Sequence, residues 1–323
     1  MTHTRIMEPE LKTLKDAIEY FSNPANCREY LVPRRWPDGV SCPRCGSKHV
    51  TFLEKYNRWQ CSARHANRQF TAKTGTIFED SPLGLDKWLM AMWQVVNCKN
   101  GVSSYEVHRA IGVTQKTAWF MDHRIRHALS LGTISKLSGE VEADETFVGG
   151  KISNMHKSRK VRLQKVSQKG DKAIVLGLLE RDGQARAAVA PTRRHYDIHK
   201  HVMANVEPGS TLYTDEYDAY QSLPAQFTHE MVNKLEGYVR GQVHVNGMEN
   251  FWSLLKRTLK GTYVSVDPVH LQAYVDEQVF RFNNRKGLND GQRFDLAVRG
   301  IVGKRLTWDQ LTGNIQGPRT CAN

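Results

Sequence analysis

Several things are scarce in this 323-residue chain, and each scarcity excludes a class of protein. No apolar run approaches the ~20 residues that cross a bilayer, and the mean hydropathy is −0.55. An apolar leader is missing too. The opening MTHTRIMEPELKTLKDAIEYF carries acids and lacks an apolar segment ending in small residues, so a signal peptide is excluded and a cytoplasmic location is expected. No internal repeat or low-complexity tract is present, and 40% hydrophobic with 24% charged residues is the composition of a folded globular protein. At roughly 100–200 residues per domain, the length suggests two or three domains. Acids are in short supply. Asp and Glu total 33 against 46 Lys and Arg, a net charge of +13, and a field of that sign suits a polyanion. Cysteines number six, at 27, 42, 45, 61, 98 and 321. Their clustering in a chain without a secretory signal points to metal ligands rather than disulfides.

The texture changes along the chain. Residues 8–33 open with an amphipathic helix broken at Asn23-Pro24, and 34–75 is turn-rich. Residues 81–131 are helical in pattern, with Trp88, Met92 and Trp93 on one stripe and a break at Gly112. From Glu140 short strands appear: VEADETFV, then AIVLGLLERDGQARAAVAP as two strands joined at Asp182-Gly183, then TLYTDEY. Helical patterns return at 245–259 and 271–284. That order predicts an α/β core of about 150 residues behind smaller modules.

Cys42-Pro-Arg-Cys45 supplies two thiolates on one turn, and Cys61 with His65 supplies a second pair at a spacing of four. Together they make a tetrahedral Cys₃His set for one structural Zn²⁺ with no position left for water. Trp59 and Phe70 would cap it. Downstream, SSYEVHRAIGVTQKTAWFMDHRIRHAL reads as two helices about a turn at Gly112-Val113, the second capped by Thr114. Tyr105, Val107, Ala110, Ile111, Ala118, Trp119 and Met121 or Ile125 are expected inside. Gln115, Lys116, Arg124 and Arg126 are expected outside, as on the recognition helix of a helix-turn-helix in a DNA major groove.

A third pattern is acidic. Asp144 lies mid-strand, Asp215 ends a strand 71 residues on, and Glu249 opens a helix 34 residues further. Two strand ends and a facing helix can gather three carboxylates about a pair of metal ions ~3.5–4 Å apart, the arrangement of two-metal phosphodiester chemistry. Mg²⁺ is the natural ion. Asn246, Glu249, Trp252 or Ser253, and Lys256 share one helix side, and Lys256 is placed to hold a DNA phosphate. Of Asn246 and Glu249, the carboxylate is the better Mg²⁺ ligand, so Asn246 is taken as its neighbour.

Between Lys151 and Lys172 eight Lys or Arg face one acid, Asp171, directly after the Asp144 strand. Within it Lys157, Arg159, Lys160, Arg162 and Lys165 are expected to clamp a nucleic-acid backbone. His195, Asp197 and His199 are read as a helix start, not a metal site.

The succession CPRCGS, RWQC, RQFTAKTGTIFEDS, GVTQKTAW, ADETFVGGK, YTDEYDAY and HVNGMENFWSLLKR resembles the bacterial insertion-sequence transposases of the ISXO-like group, members of the DDE superfamily. The resemblance covers about residues 20–285. It implies a ribonuclease-H-like α/β catalytic core preceded by a zinc ribbon and a helix-turn-helix. The divisions expected are 1–35 (helical), 36–78 (zinc ribbon), 80–135 (helix-turn-helix), 138–290 (catalytic) and 291–323 (C-terminal tail). It further implies a transposase that binds the inverted repeats of its own element, cuts them and joins them to target DNA. Asp144, Asp215 and Glu249 would hold two Mg²⁺ or Mn²⁺ ions, with Asp144 shared, while Lys256, Arg257 and Lys260 hold phosphate. Double-stranded DNA is the partner, paired by a homo-oligomer at the bacterial nucleoid, with no membrane and no organic cofactor. A DNA-binding regulator on the same modules, or a nuclease that cuts without joining, are the other readings these motifs allow.

Overall fold

The computed structural model describes residues 10–130, 135–149, 172–231 and 244–313. The chain divides into two units: Met1–Leu129 with Gly287–Asn323, and, between them in sequence, Ser130–Lys286. Among the described residues no helix is long and apolar enough to cross a membrane.

In the first unit, α1 (Leu14–Phe21) starts where the Thr13 hydroxyl accepts from the Asp16 N–H and the Asp16 carboxylate accepts from the Thr13 N–H. The Asn23-Pro24 break opens a second helix, α2 (Pro24–Arg35). Asn23 caps it through the Ala25 N–H, and Pro24 takes the first position, where no N–H is needed. A small antiparallel sheet follows, β1 (Val50–Leu53), β2 (Arg58–Cys61) and β3 (Gln69–Phe70), in that order. Next, α3 (Leu85–Asn97) turns its Trp88, Met92 and Trp93 stripe inward.

Gly112, left-handed at φ +63, joins α4 (Ser104–Ile111) to α5 (Gln115–Leu129), and the Thr114 hydroxyl caps α5 by accepting from the Thr117 N–H at 3.2 Å. Val107, Ala118, Met121 and Ile125 are buried as the periodicity predicts. Tyr105 is not; it is 62% exposed, and Ala110 is exposed as well. Arg124 and Arg126, expected to face outward, are only 4% and 1% exposed. The reason is that α5 packs against both α3 and α4, so every residue from Met121 to Arg126 is covered. One-faced amphipathicity does not apply to a helix covered from several sides.

The second unit holds a five-stranded mixed sheet. Its central strand β4 (Glu140–Val148) pairs antiparallel with β5 (Ala173–Glu180), which turns at Asp182-Gly183 into β6 (Ala185–Ala190). On the other side of β4, β7 (Thr211–Thr214) runs parallel to it and β8 (Thr228–Met231) parallel to β7. The order is β6-β5-β4-β7-β8, or 3-2-1-4-5 counted within the unit. The two parallel connections return through α6 (His195–Asn205) and the helical turn Asp218–Gln221. Val141, Ala143, Leu176 and Leu178 pack on Ile198 and Val202 of α6. On the opposite face Val175 and Leu179 pack under α7 (Asn246–Gly261) and α8 (Leu271–Asn283), against Met248, Phe251, Trp252 and Val275. Alternation along β4 therefore turns Glu142 and Asp144 toward α7.

The chain then rejoins the first unit. Residues 291–323, expected as a tail, contribute most of α9 (Asp290–Arg299) and all of α10 (Trp308–Thr312). Phe294 of α9 lies 5.7 Å from Phe21, 5.6 Å from Tyr30 and 5.1 Å from Trp93, ring centre to ring centre, at the heart of that unit's core.

Candidate active site and metal centre

The ribbon cluster is built by local hydrogen bonds. After Cys42, the Gly46 N–H donates to the Cys42 carbonyl at 2.8 Å, and Gly46 takes φ +73, which lets the knuckle close. β2 carries Cys61 alongside, and Trp59 stacks on Phe70 at 5.9 Å as the cap. One ligand atom from each of Cys42, Cys45, Cys61 and His65 lies within 4.8 Å of all the others. Cys42 Sγ is 3.6 Å from His65 Nε2, and Cys45 Sγ is 3.6 Å from Cys61 Sγ. A tetrahedron with Zn–S of ~2.3 Å has S···S edges of about 3.7 Å, so the set fits Zn²⁺. The Ala66 carbonyl lies 2.7 Å from His65 Nδ1 and orients Nε2 toward the thiols. All four positions come from protein, which makes this a structural centre.

The acidic site is built on the middle of the sheet. β4 and β7 pair Val141 with Leu212 and Glu142 with Tyr213. Continuing that register by two residues sets Asp215 level with Asp144, on strands about 4.8 Å apart. Asp215 is partly exposed just beyond β7, and its Oδ1 accepts from the Tyr217 N–H at 3.1 Å. Asp144 is 7% exposed, and its Oδ2 accepts from the Trp252 indole N–H at 2.9 Å. Burial, reinforced by the charges of Glu145 and Asp215, pushes its carboxyl up to about 7. Glu145, on the other face of β4, is paired with Arg193 and accepts from the Tyr220 hydroxyl at 3.0 Å. Among the described residues, Asp144 and Asp215 have no ion-pair partner. Two adjacent carboxylates, one buried and none neutralised, are a donor set that fits a hard divalent cation.

Glu249 lies on α7, one turn before Trp252, and is exposed, as is Asn246. Helical spacing puts Glu249, Ser253, Lys256 and Lys260 on the side of α7 that borders Trp252. Lys256, Arg257 and Lys260 are all exposed. The three acids do not form a cluster as tight as the ribbon's, which is the only such group among the described residues. Lys157, Arg159, Lys160, Arg162 and Lys165 lie outside the described residues. His195, Asp197 and His199 open α6, as expected. On α5, Lys116 is exposed, and Gln115 is half-buried and donates to the Ser104 hydroxyl at 2.9 Å.

Sequence reasoning missed Glu142, and it missed the bond from Trp252 to Asp144. The 2%-exposed carboxylate of Glu142 accepts from the Met248 N–H at 2.8 Å and so caps α7, which has no side-chain cap of its own. Arg181 and His244 also face Glu142. Two acids two residues apart on a strand share a face, and that spacing was the available signal. Together Glu142 and Asp144 hold α7 over β4 at two points, with Glu249 in the turn between them.

Comparison with known proteins gives this geometry a family. An ISXO2-like transposase domain matches residues 136–283, and a transposase zinc-ribbon domain matches residues 22–66. A protein in transposable element ISH50 of Halobacterium salinarum is 29% identical over 255 residues, 75% of this chain and 85% of that protein. A transposase-like protein of Haemophilus influenzae is 31% identical over 84 residues, 26% of this chain and 68% of its own length. The first match holds the whole five-stranded sheet with α7, and the second ends one residue past His65. The chain belongs to the ISXO2-like transposase family and carries that family's zinc ribbon toward its N-terminus.

Proposed function

We propose that this transposase binds the inverted-repeat ends of its own element, cleaves them, and joins them to target DNA on a ribonuclease-H-like core. The reading rests above all on Asp144 and Asp215 standing level on adjacent strands beneath the helix that carries Glu249. Asp144 would be shared between two Mg²⁺ or Mn²⁺ ions, with Asp215 and Glu249 each completing one. When bound, such ions polarise the scissile phosphate and favour an oxygen nucleophile at neutral pH.

The chain's own groups then have separate tasks. Trp252 fixes the rotation of the Asp144 carboxylate by donating to its Oδ2. Arg193 holds Glu145 away from it. Lys256, Arg257 and Lys260, exposed along α7, neutralise the phosphates on either side of the cut. In the first unit, α4 and α5 form a helix-turn-helix, with Lys116 meeting DNA and Gln115 reaching it by releasing Ser104. The run from Lys157 to Lys165 adds a backbone clamp. Two copies of the chain pair the two ends of the element.

The test is strand nicking and joining on an end-containing duplex with Mg²⁺ or Mn²⁺. Wild type should do both, and Asp144→Ala neither. Glu249→Gln keeps the reach of the side chain but removes its charge, and should abolish cleavage with DNA binding intact. Asn246→Ala should retain cleavage, lowered by at most ~10–100-fold. The opposite ranking would move the third position to Asn246. Cleavage without joining would reduce the protein to a nuclease, and binding without metal-dependent nicking to a regulator.

A further inference from the structure

The first unit contains a pocket that neither the zinc site nor the acidic site uses. We propose that it receives a single unstacked nucleotide of bound DNA, an inference that rests on the DNA-binding reading above. The pocket encloses about 310 Å³ and is lined by, among others, Trp88, Phe120, Trp308, Lys116 and Arg124. That is the small end of ligand-pocket sizes, enough for a base but not for a duplex.

Its walls are rings. Phe120 and Trp308 meet edge to face at 5.5 Å and 84°, and Trp88 lies beneath them, 1% exposed. Two of its charged groups are cations. Lys116 is exposed at the rim, with Nζ 4.5 Å over the Trp308 ring. Arg124 lies at the floor, 4% exposed, 5.1 Å over Phe120 and 5.6 Å over Trp88. One of its terminal nitrogens donates to the Glu79 carbonyl at 2.6 Å, but its Nε is buried and meets no acceptor. A buried N–H with no acceptor is costly, and an incoming acceptor removes that cost. The one carboxylate of the lining, Asp80, is already paired with Arg305.

Three rings and two cations select a flat, electron-rich occupant with acceptor atoms on its edge and a negative charge nearby. A nucleobase with its phosphate meets all of these: the ring stacks, its edge faces the Arg124 guanidinium that lines the pocket, and the phosphate meets Lys116. An aliphatic side chain would leave the cations unused, and a plain carboxylate would leave the rings unused. Placement agrees, because Lys116 and Thr117 belong to the first turn of α5, the helix assigned to DNA.

The experiment compares two duplexes of the same sequence, one fully paired and one with a single-base bulge, each carrying 2-aminopurine at that position. The full-length protein should bind the bulged duplex about 5–150-fold more tightly, the range that stacking of one base supplies, and should quench its emission. Trp308→Leu should abolish both the preference and the quenching while leaving affinity for the paired duplex and zinc content unchanged. Phe120→Leu gives the same reading should the first variant fold poorly. Equal affinity for the two duplexes with unchanged emission overturns the pocket while DNA binding stands. Failure to bind either duplex overturns the DNA-binding reading as well. Binding of a phosphotyrosine peptide with no bulge preference would assign the pocket to a protein partner and likewise overturn the nucleotide.

Discussion

Gly177→Ala is the smallest change that should disconnect Asp144 from α7. Gly177 is the β5 residue paired with Asp144 across the ladder. A Cβ at that position would lie 2.2 Å from Met248 Cε and 2.6 Å from both Cζ2 and Cη2 of Trp252. Carbon atoms pack at ~3.5–4.0 Å. The methionine end can swing aside, but the rigid indole has to retreat by about 1 Å or more. Its N–H now reaches Asp144 Oδ2 at 2.9 Å, and a retreat of that size takes it past the ~3.2 Å limit of a good N–H···O bond. Overpacking costs about 1–3 kcal/mol, and the lost bond to a charged group about 1.5–3 kcal/mol. Together these predict a loss of about 3–5 kcal/mol from the second unit, or a fall in melting temperature on the order of 10 °C. Metal-dependent nicking, measured where the variant is still folded, should drop at least ~10-fold. Gly261→Ala is the control. It sits in the same helix with nothing within 4 Å of its Cβ, so it should be neutral or slightly stabilising. A Gly177→Ala protein that melts with wild type and nicks at full rate would refute the claim that Trp252 must lie flat on this strand.

Two further outcomes are expected. Cys45→Ser should lower bound zinc from about one equivalent to a small fraction and open residues 36–78 to protease, because metal binding supplies most of such a module's folding energy; an intact, zinc-loaded ribbon by metal analysis would contradict it. His201, whose Nε2 is sealed from solvent without a partner, is pushed down to about 4 by burial and by Arg186. The unfolded chain protonates this residue below ~6.5 while the folded one resists until about 4, so its contribution is complete above 6.5 and is lost as pH falls toward 4. Chemical denaturation should therefore show wild type losing up to about 3 kcal/mol more than His201→Gln between pH 7 and pH 4; parallel curves would dismiss the assignment.

Four of the sheet's five strands were legible because they alternate or end in distinctive ways, whereas β8, the short THEM, gave no such signal. Asp182-Gly183 marked the β5–β6 turn, and TLYT ran out at the acid that now lies beside Asp144. The ribbon was legible from the spacings of its four ligands. The interior of α5 was not. A run reading Asp122-His123-Arg124-Ile125-Arg126 has the composition of a wet helix face, and only its neighbours bury it. Tyr105 fails in the opposite sense: an aromatic at a helical position looks like core, yet nothing covers it. Glu142 and Trp252 were hidden for a third reason. Their role is a hydrogen bond between segments 106 and 108 residues apart, and local pattern carries no information about such pairs. The return of Phe294 to a core begun by Phe21 was unreadable on the same ground.

That return also bears on synthesis. The first unit holds no complete core until Phe294 has left the ribosome, and residues 130–286 are made before it. At ~5–20 residues per second, the helices that carry the ribbon and the α4–α5 pair wait on the order of 10–30 s for their last partner, while the acidic sheet folds in the meantime. A polypeptide ending early, by a frameshift or a stop codon within the α7–α8 region, would thus carry the acidic strands of the second unit without a finished first unit. Prematurely terminated copies should therefore accumulate poorly, because their first unit lacks the ring that closes its core.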